Sequence, residues 1–195
     1  MIALVTGASS GIGRDIAREL AKRKYNIIAV ARNEDALKEL KNELEKEYEV
    51  NVDVRAMDLI DRDGCRKLHD DVKSQYGIID VLVNDAGFGT CGKFTETDLD
   101  KELGMIDTNV VALHILTKLF LIDMVKADKG HILNVASIAG FMPGPLMATY
   151  YSTKSYVVRL TQSIRQELFM QGSHVKISAL CPGPVKTNFN KVADV

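Results

Sequence analysis

The chain has 195 residues, of which 46% are hydrophobic and 26% are charged, and its formal net charge is −1. This length and composition are typical of one globular domain that buries a sizeable core. A net charge so near zero excludes proteins that hold nucleic acid or an anionic membrane through a strong overall positive charge. A small-molecule partner is therefore expected.

The N-terminal segment MIALVTG has no basic stretch ahead of a long apolar run, and polar residues interrupt the apolar stretch Val110–Ile122. These features predict neither a signal peptide nor a membrane span, and they favour a cytoplasmic protein. The three cysteines, Cys65, Cys91 and Cys181, lie far apart, without a CxxC pair or a histidine cluster at ligand spacing. We therefore expect reduced thiols and no metal site.

Short runs rich in β-branched residues alternate along the chain with stretches of helical periodicity. The predicted strands are Ile2–Val5, Ile27–Ala31, Val52–Ala56, Ile79–Asn84, His131–Val135 and Val175–Leu180. The predicted long helices include Arg14–Lys22, Glu34–Glu49, Asp98–Ala127 and Tyr150–Gln171. Strands that are nearly continuous apolar runs are typical of a parallel sheet with helices on both faces.

This alternation predicts a single α/β domain over residues 1–195, a doubly wound Rossmann fold. We expect a mostly parallel six-stranded sheet in the order 3-2-1-4-5-6, with helices on both faces. In such folds ligands bind beyond the carboxyl ends of the strands, near the point where the strand order reverses. The chemistry is therefore expected just after strands one, four, five and six.

A glycine-rich turn, TGASSGIG over residues 6–13, comes directly after the first strand and before a helix. Glycines there permit a tight turn and let the backbone approach a pyrophosphate, while the helix N-terminus offers free N–H groups. The predicted dinucleotide contacts in this turn are Gly7, Ser9, Ser10, Gly11, Ile12 and Gly13. A purely structural glycine turn is the alternative.

The end of the second strand indicates which nucleotide is preferred. An acidic residue there would bond the ribose hydroxyls, but this chain has Ala31 and then Arg32. Because arginine forms strong charge-assisted bonds with phosphate, Arg32 favours NADP(H), with NAD(H) as the second possibility. Arg14 is a further candidate for the same phosphate. A solvated loop position for Arg32 is the alternative.

Further motifs follow in a fixed order along the chain. NDAG, residues 84–87, follows the fourth strand, Asn109 lies in the next helical stretch, and Ser137 follows the fifth strand. Tyr150 and Lys154 begin the last long helix, and PGPVKT, residues 182–187, follows the sixth strand. With the TGxxxGxG spacing of the turn, this set resembles the classical short-chain dehydrogenase/reductase family from residue 6 to residue 187. Asp85 departs from the family's NNAG.

The resemblance implies a catalytic role for four residues. Tyr150 would exchange a proton with the substrate oxygen, Ser137 would polarise that oxygen, and Lys154 would also hold the nicotinamide ribose. Asn109 would position a water molecule for the proton relay. Taken singly, each residue has an ordinary alternative: a capping serine, an interfacial tyrosine, a solvated lysine or an internally bonded asparagine.

The resemblance also implies further cofactor contacts. Asp58 and Leu59 would meet the adenine ring, although an exposed turn or helix N-cap is the alternative for Asp58. The remaining contacts implied are Asn84, Ala86 and Gly87 near the adenosine ribose, Tyr150 and Lys154 near the nicotinamide ribose, and Pro182, Gly183, Val185 and Thr187 near the nicotinamide carboxamide and phosphates.

The chemistry of Tyr150 depends on its neighbours. Tyr150 and Lys154 are four residues apart and share one helix face. A free tyrosine has a pKa of about 10, so a base at neutral pH needs a lowered pKa, and we expect the Lys154 ammonium to supply most of the lowering. Tyr151 is a competing phenol, but the YxxxK spacing of the family selects Tyr150.

The resemblance implies an enzyme that moves hydride between the nicotinamide and a carbonyl or secondary alcohol, assembled as a homodimer or homotetramer, and Arg32 adds the preference for NADP. It also implies a C-terminally incomplete domain, because the family continues through a substrate-covering segment and a seventh strand. Phe88, Phe141, Met142 and Met147 indicate an apolar pocket or, alternatively, ordinary core. A non-enzymatic NADP(H) sensor or scaffold is the second functional hypothesis. A sugar epimerase of the extended type is the third hypothesis. It is disfavoured because such enzymes prefer a shorter glycine spacing than the one in this chain.

Overall fold

A computed structural model of the chain describes residues 1–183. It contains one six-stranded sheet in which all neighbouring strands are parallel. The strands are β1 Ile2–Thr6, β2 Asn26–Ala31, β3 Val52–Ala56, β4 Val81–Asn84, β5 His131–Val135 and β6 Lys176–Leu180. Their order, β3-β2-β1-β4-β5-β6, confirms the predicted Rossmann topology, in which the order reverses between β1 and β4.

Helices cover both faces of the sheet. They are α1 Gly11–Lys22, α2 Glu34–Tyr48, α3 Arg62–Tyr76, α4 Leu99–Ile106, α5 Leu113–Ala127 and α6 Ala148–Met170. Successive strand residues point to opposite faces, so β1 sends Ala3 and Val5 to the core under α1 and α2. Leu4 of the same strand joins the core under α3, α5 and α6. The predicted two-sided packing is confirmed.

The helix over Glu34–Tyr48 illustrates how the sequence determines an element. Leu37, Leu40 and Leu44 recur at three and four residues, which places them on one helix face, and all three are fully buried. The side chain of Asn33 accepts a hydrogen bond from the Ala36 amide at 3.0 Å and caps the helix N-terminus. The apolar stripe and the cap together fix where this helix lies and where it begins.

The single helix predicted over Asp98–Ala127 is wrong in one respect. The segment divides into α4, a π-helical turn over Asp107–Ala112, and α5. A π turn inserts one extra residue into the helical ladder and changes which side chains face inward. Here it places Asn109 in the interior, with 1% of its surface exposed. Apolar periodicity alone does not reveal such an insertion.

None of the helices between residues 1 and 183 combines the length and apolarity that crossing a membrane would require.

Candidate active site

A cavity of about 500 Å³ opens at the carboxyl ends of the strands, where the strand order reverses. Its wall contains most of the side chains and turns that the sequence singled out. These are Gly7, Ser9, Ser10, Gly11, Ile12, Arg32, Asp58, Leu59, Ala86, Gly87, Ser137, Tyr150, Lys154, Pro182 and Gly183. The fold therefore brings residues from both ends of the chain into one site. The predicted contacts of Val185 and Thr187 lie outside the described residues.

Three predicted residues do not line this cavity. Gly13 lies just behind the wall, beneath the glycine turn. Asn84 is buried, and its Nδ2 donates to Thr117 Oγ1 at 3.0 Å and to Asn134 Oδ1 at 2.9 Å. That side chain ties β4 to α5 and β5, so it supports the site from within the core. Asn109 is the third of these residues.

The glycine turn has a backbone conformation and a close packing that leave no room for side chains. Gly7 and Gly11 have φ angles of +70° and +56°, a region that favours glycine. A methyl carbon added to Gly7 would lie 2.9 Å from the Ala86 amide nitrogen, and one added to Gly13 would lie 2.6 Å from the Gly7 carbonyl oxygen. The backbone therefore packs too closely here for any residue larger than glycine.

Thr6 holds the turn against the segment after β4. Its Oγ1 accepts hydrogen bonds from the amides of Asp85 at 3.0 Å and Ala86 at 3.1 Å. The same hydroxyl donates to the Val83 carbonyl oxygen at 3.3 Å. Sequence reasoning did not assign it a role, although it is the first residue of the glycine motif. A hydroxyl at that place in the motif was the available signal.

Asp85 lies between the glycine turn and Lys154 of α6. Its carboxylate accepts a hydrogen bond from the Gly13 amide, and Oδ2 lies 2.6 Å from where a methyl carbon on Gly13 would be. Burial raises the pKa of this carboxyl to about 6, against the opposing effects of the Lys154 charge and the Gly13 N–H. This carboxylate therefore has a backbone donor and also lines the cavity.

Lys154 is buried beside the cavity. Its Nζ donates to the Val135 carbonyl oxygen at 2.9 Å and lies 5.8 Å from the centroid of the Tyr150 ring. Burial lowers the pKa of this amine to about 8, while the negative charge of Asp85 acts to raise it. The ammonium is thus held in place by one backbone oxygen and stabilised by one carboxylate across the cavity wall.

Burial and a neighbouring hydroxyl act on the proton affinity of the Tyr150 phenol. Burial raises the pKa of Tyr150, and a hydrogen bond with the Ser137 side chain acts in the opposite direction. The Lys154 ammonium lies 5.8 Å from the centroid of the Tyr150 ring, and its expected effect on the phenol stays a prediction. Ser137 is a side chain that lowers the pKa of the phenol in this arrangement.

Ser137 is fixed by the backbone around it. It is the N-cap of a 3₁₀ turn over Ile138–Phe141, and its Oγ accepts a hydrogen bond from the Ala139 amide at 3.1 Å. The capping role that the sequence allowed and the position beside Tyr150 are therefore compatible. Accepting the amide hydrogen bond leaves the hydroxyl hydrogen available for another oxygen.

Asn109 braces the wall from behind. Its Oδ1 accepts from the Phe88 amide at 3.0 Å, and its Nδ2 donates to the Phe88 carbonyl at 2.9 Å and to Thr153 Oγ1 at 3.2 Å. Both ends of the amide are therefore occupied by protein atoms, which is the internally bonded alternative. The expected role in a water relay stays a prediction. Thr153, which sequence reasoning missed, completes the brace by donating to the Tyr150 carbonyl at 2.7 Å.

Arg32 lies at the far end of the cavity and is exposed. Within residues 1–183 it forms no ion pair. Arg14, the other basic candidate, donates to Glu43 at 3.0 Å and does not line the cavity. At the same end, Asp58 Oδ1 accepts from the Ile60 amide at 3.1 Å, so Asp58 both lines the cavity and shapes a turn. The N-cap of α3 is Asp61 instead.

The opposite end of the cavity is more apolar. Phe88 and Met147 line it, together with Ile138 and Tyr151. Phe141 and Met142, which the sequence also placed at an apolar pocket, are 56% and 51% exposed and do not line the described cavity. The described wall beside Tyr150 therefore presents carbon-rich surface near the Ser137 and Tyr150 hydroxyls.

Comparison with known proteins gives consistent matches. The family described as short chain dehydrogenase matches residues 1–194. An NADP-dependent 3-hydroxy acid dehydrogenase of Schizosaccharomyces pombe is 36% identical over 192 residues, which cover 97% of this chain and 73% of that protein.

Solved structures agree with this match. A short-chain dehydrogenase from Sphingobium yanoikuyae in complex with NADPH has a TM-score of 0.93 at 29% identity, covering 100% of this chain and 75% of its own. A short chain dehydrogenase/reductase from Burkholderia phymatum in complex with NAD has a TM-score of 0.92 at 28% identity, covering 100% and 69%. Structures similar to this chain thus bind both nicotinamide dinucleotides.

Proposed function

This chain belongs to the short-chain dehydrogenase family, and we propose that it is an NADP-preferring oxidoreductase that interconverts a carbonyl and a secondary alcohol. The observation that carries the proposal is the placement of Ser137, Tyr150 and Lys154 on the wall of the cavity onto which the glycine turn opens. A binding module has no physical need for a buried lysine next to a phenol and a hydroxyl.

The described residues fit a dinucleotide. The glycine turn lines the cavity through Gly7 and Gly11, and Ser10 places no side-chain cap on the N-terminus of α1. The N–H groups of that first turn can therefore meet a pyrophosphate. Asp58 and Leu59 line the wall for the adenine, and Pro182 and Gly183 line it for the nicotinamide. The bound dinucleotide supplies or accepts the hydride at its C4.

The proton chemistry belongs to three side chains. Tyr150 gives a proton to the substrate oxygen in reduction and removes it in oxidation. Ser137 donates a hydrogen bond to the same oxygen, and its rigid 3₁₀ turn fixes the position of that donor. Lys154, held by the Val135 carbonyl at 2.9 Å, holds the nicotinamide ribose and supplies positive charge to the site. Asn109 and Thr153 act behind the wall by fixing the backbone of Phe88 and Tyr150.

Arg32 supports the preference for NADP over NAD. It is a cation at the adenosine end of the cavity, it forms no ion pair within the described part of the chain, and it comes directly after β2. A 2′-phosphate would be a strong partner for such a guanidinium. Arg14 is less available because Glu43 binds it.

A homo-oligomer in the cytoplasm is part of the same proposal. The helical segment 98–127 and α6 would pair with a second copy across a two-fold axis. Exposed apolar side chains on these helices support an interface there, since apolar groups on a monomer surface favour association. They are Leu99, Leu103, Ile106 and Ile122, with Tyr156 on α6.

The test is turnover of a carbonyl panel with NADPH and an alcohol panel with NADP⁺, followed by nicotinamide absorbance. Tyr150→Phe removes only the acidic hydroxyl, so we expect activity to fall by about 10³-fold. Tyr151→Phe, the matched change on the adjacent residue, is expected to change activity by less than about threefold. Equal losses in the two variants would contradict the assignment of Tyr150. NADPH binding without turnover of any panel member would favour the sensor hypothesis.

A further inference from the structure

The carboxylate of Asp85 lies against the turn that would hold the most anionic part of the cofactor. Oδ2 lies 2.6 Å and 3.0 Å from where methyl carbons on Gly13 and Gly7 would be. The Gly13 amide, in the first turn of α1, donates to this carboxylate. The same helix N-terminus is the predicted anion site. Asp85 is therefore an anion built into the anion-binding turn.

Few groups in the described chain can offset the charge of Asp85. Facing it are the amide of Gly13 from α1 and the ammonium of Lys154 from α6. Thr6 Oγ1 on β1 binds the Asp85 amide and not the carboxylate. Tyr150 and Cys181, which adjoin Lys154, are neutral when protonated. Arg32 and Asp58 line the adenosine end of the same wall.

A bound pyrophosphate changes this balance. Two negative charges placed at the N-terminus of α1, in a site partly removed from water, repel a nearby carboxylate and favour its protonated form. The neutral carboxyl also gains a donor. A protonated carboxyl carries an O–H group, which the carboxylate lacks.

We propose that Asp85 couples dinucleotide binding to the uptake of one proton, because the protein binds its cofactor with the Asp85 carboxyl in the neutral form. This inference rests on the proposed function, since it requires the glycine turn to bind a pyrophosphate. It assigns a role to the residue that departs from the family's NNAG. An asparagine at this position would present the same shape, a permanent donor and no charge.

The sign of the effect follows from the two states of the site. The carboxyl of the free protein has a pKa of about 6, and the bound pyrophosphate raises that pKa further. Below pH 6 the free protein is already protonated, and binding requires no proton. Above pH 6 each binding event takes up a proton, so affinity falls by up to about tenfold per pH unit until the pKa of the bound form is reached.

The experiment is calorimetric titration with NADH at pH 6.5, in two buffers with different ionisation enthalpies, so that the difference in heat counts protons. NADH lacks the 2′-phosphate, whose second ionisation near pH 6 would add protons of its own. At pH 6.5 the Lys154 amine, with a pKa of about 8, is already protonated in the wild type. We expect the wild type to take up a substantial fraction of one proton per NADH, and Asp85→Asn to take up almost none.

Asp58→Asn is the matched control, because it removes an exposed carboxylate from the wall of the same cavity. It is expected to keep the wild-type proton count whatever its affinity. Circular dichroism checks that each variant is folded. If Asp85→Asn does not fold, the pH dependence of wild-type NADH affinity gives the same answer, and a flat profile from pH 5.5 to 7.5 would overturn the proposal.

The outcomes separate this inference from the proposed function. Uptake that persists in Asp85→Asn, or no uptake by a wild type that binds NADH, would overturn the role of Asp85 and leave the dinucleotide site standing. Absence of NADH and NADPH binding in every variant would overturn both.

Discussion

The two ends of the cavity are built by different means. At the glycine turn, the backbone itself forms the surface, and Gly7 and Gly13 are required because a side chain would meet other backbone atoms. Beside α6, the surface consists of side-chain groups of Ser137, Tyr150 and Lys154. Ser137 accepts a hydrogen bond from a main-chain amide, and Lys154 donates one to a main-chain carbonyl. The first end is specified by shape and the second by chemistry. Substitutions at the two ends should therefore fail in different ways.

The largest effect is expected at the backbone-built end. Gly7→Ala forces a side chain into a φ of +70° and within 3 Å of the Ala86 backbone, so we expect NADPH affinity to fall by about 100-fold or more. Fluorescence titration with NADPH measures it. Gly104→Ala is the control, because a methyl carbon there would meet side-chain atoms only at ordinary distances, from 3.6 Å. Equal NADPH affinity in Gly7→Ala and wild type would contradict the claim that the backbone shape at Gly7 is required for binding.

The next largest effect concerns Arg32. Arg32→Ala removes the cation expected to bind the 2′-phosphate, and a charge-assisted hydrogen bond contributes about 1.5–3 kcal/mol, so NADPH affinity should fall about 10- to 100-fold. NADH affinity should change little. In Arg14→Ala, which removes one of the two arginines paired with Glu43, the NADPH-to-NADH affinity ratio should stay that of the wild type. A loss shared equally by both nucleotides in Arg32→Ala would contradict its assignment.

The end of the cavity formed by Ser137, Tyr150 and Lys154 should make activity depend on pH. Lys154 has a pKa of about 8, so its positive charge is complete below that pH and is lost as the pH rises through it. We expect kcat/KM for carbonyl reduction to fall above about pH 8, approaching tenfold per pH unit. NADPH affinity should be determined in parallel, so that binding and chemistry are separated. Constant kcat/KM up to pH 9.5 would argue against a required ammonium.

The smallest effect is expected behind the wall. Thr153→Val removes the hydrogen bonds to Asn109 at 3.2 Å and to the Tyr150 carbonyl at 2.7 Å. We expect a loss of about 1–3 kcal/mol in the free energy of unfolding, because a buried amide group loses its partner. Urea denaturation measures it, with the exposed Ser152→Ala on the same helix as the control. If the two variants were equally stable, the hydrogen bonds of Thr153 would not contribute to the free energy of unfolding.

The same contrast explains what the sequence could predict. Strand order, two-sided helix packing and the glycine turn depend on local patterns and on geometry common to parallel sheets, so residues such as Gly7 and Gly11 could be placed in advance. The π turn around Asn109 and the hydrogen bond from Lys154 to Val135 depend on contacts between distant segments. No spacing in the sequence reports those contacts, so the burial of Asn109 and the backbone partner of Lys154 could not be named in advance.

The central claim is that the cavity binds a dinucleotide through its backbone-built end and performs proton transfer at Tyr150. Parallel NADPH titration and turnover assays on wild type and Tyr150→Phe test it most directly. We predict that the variant binds NADPH with wild-type affinity to within about threefold while its turnover falls by about 10³-fold. Loss of NADPH binding in Tyr150→Phe, or turnover that survives in it, would contradict the account.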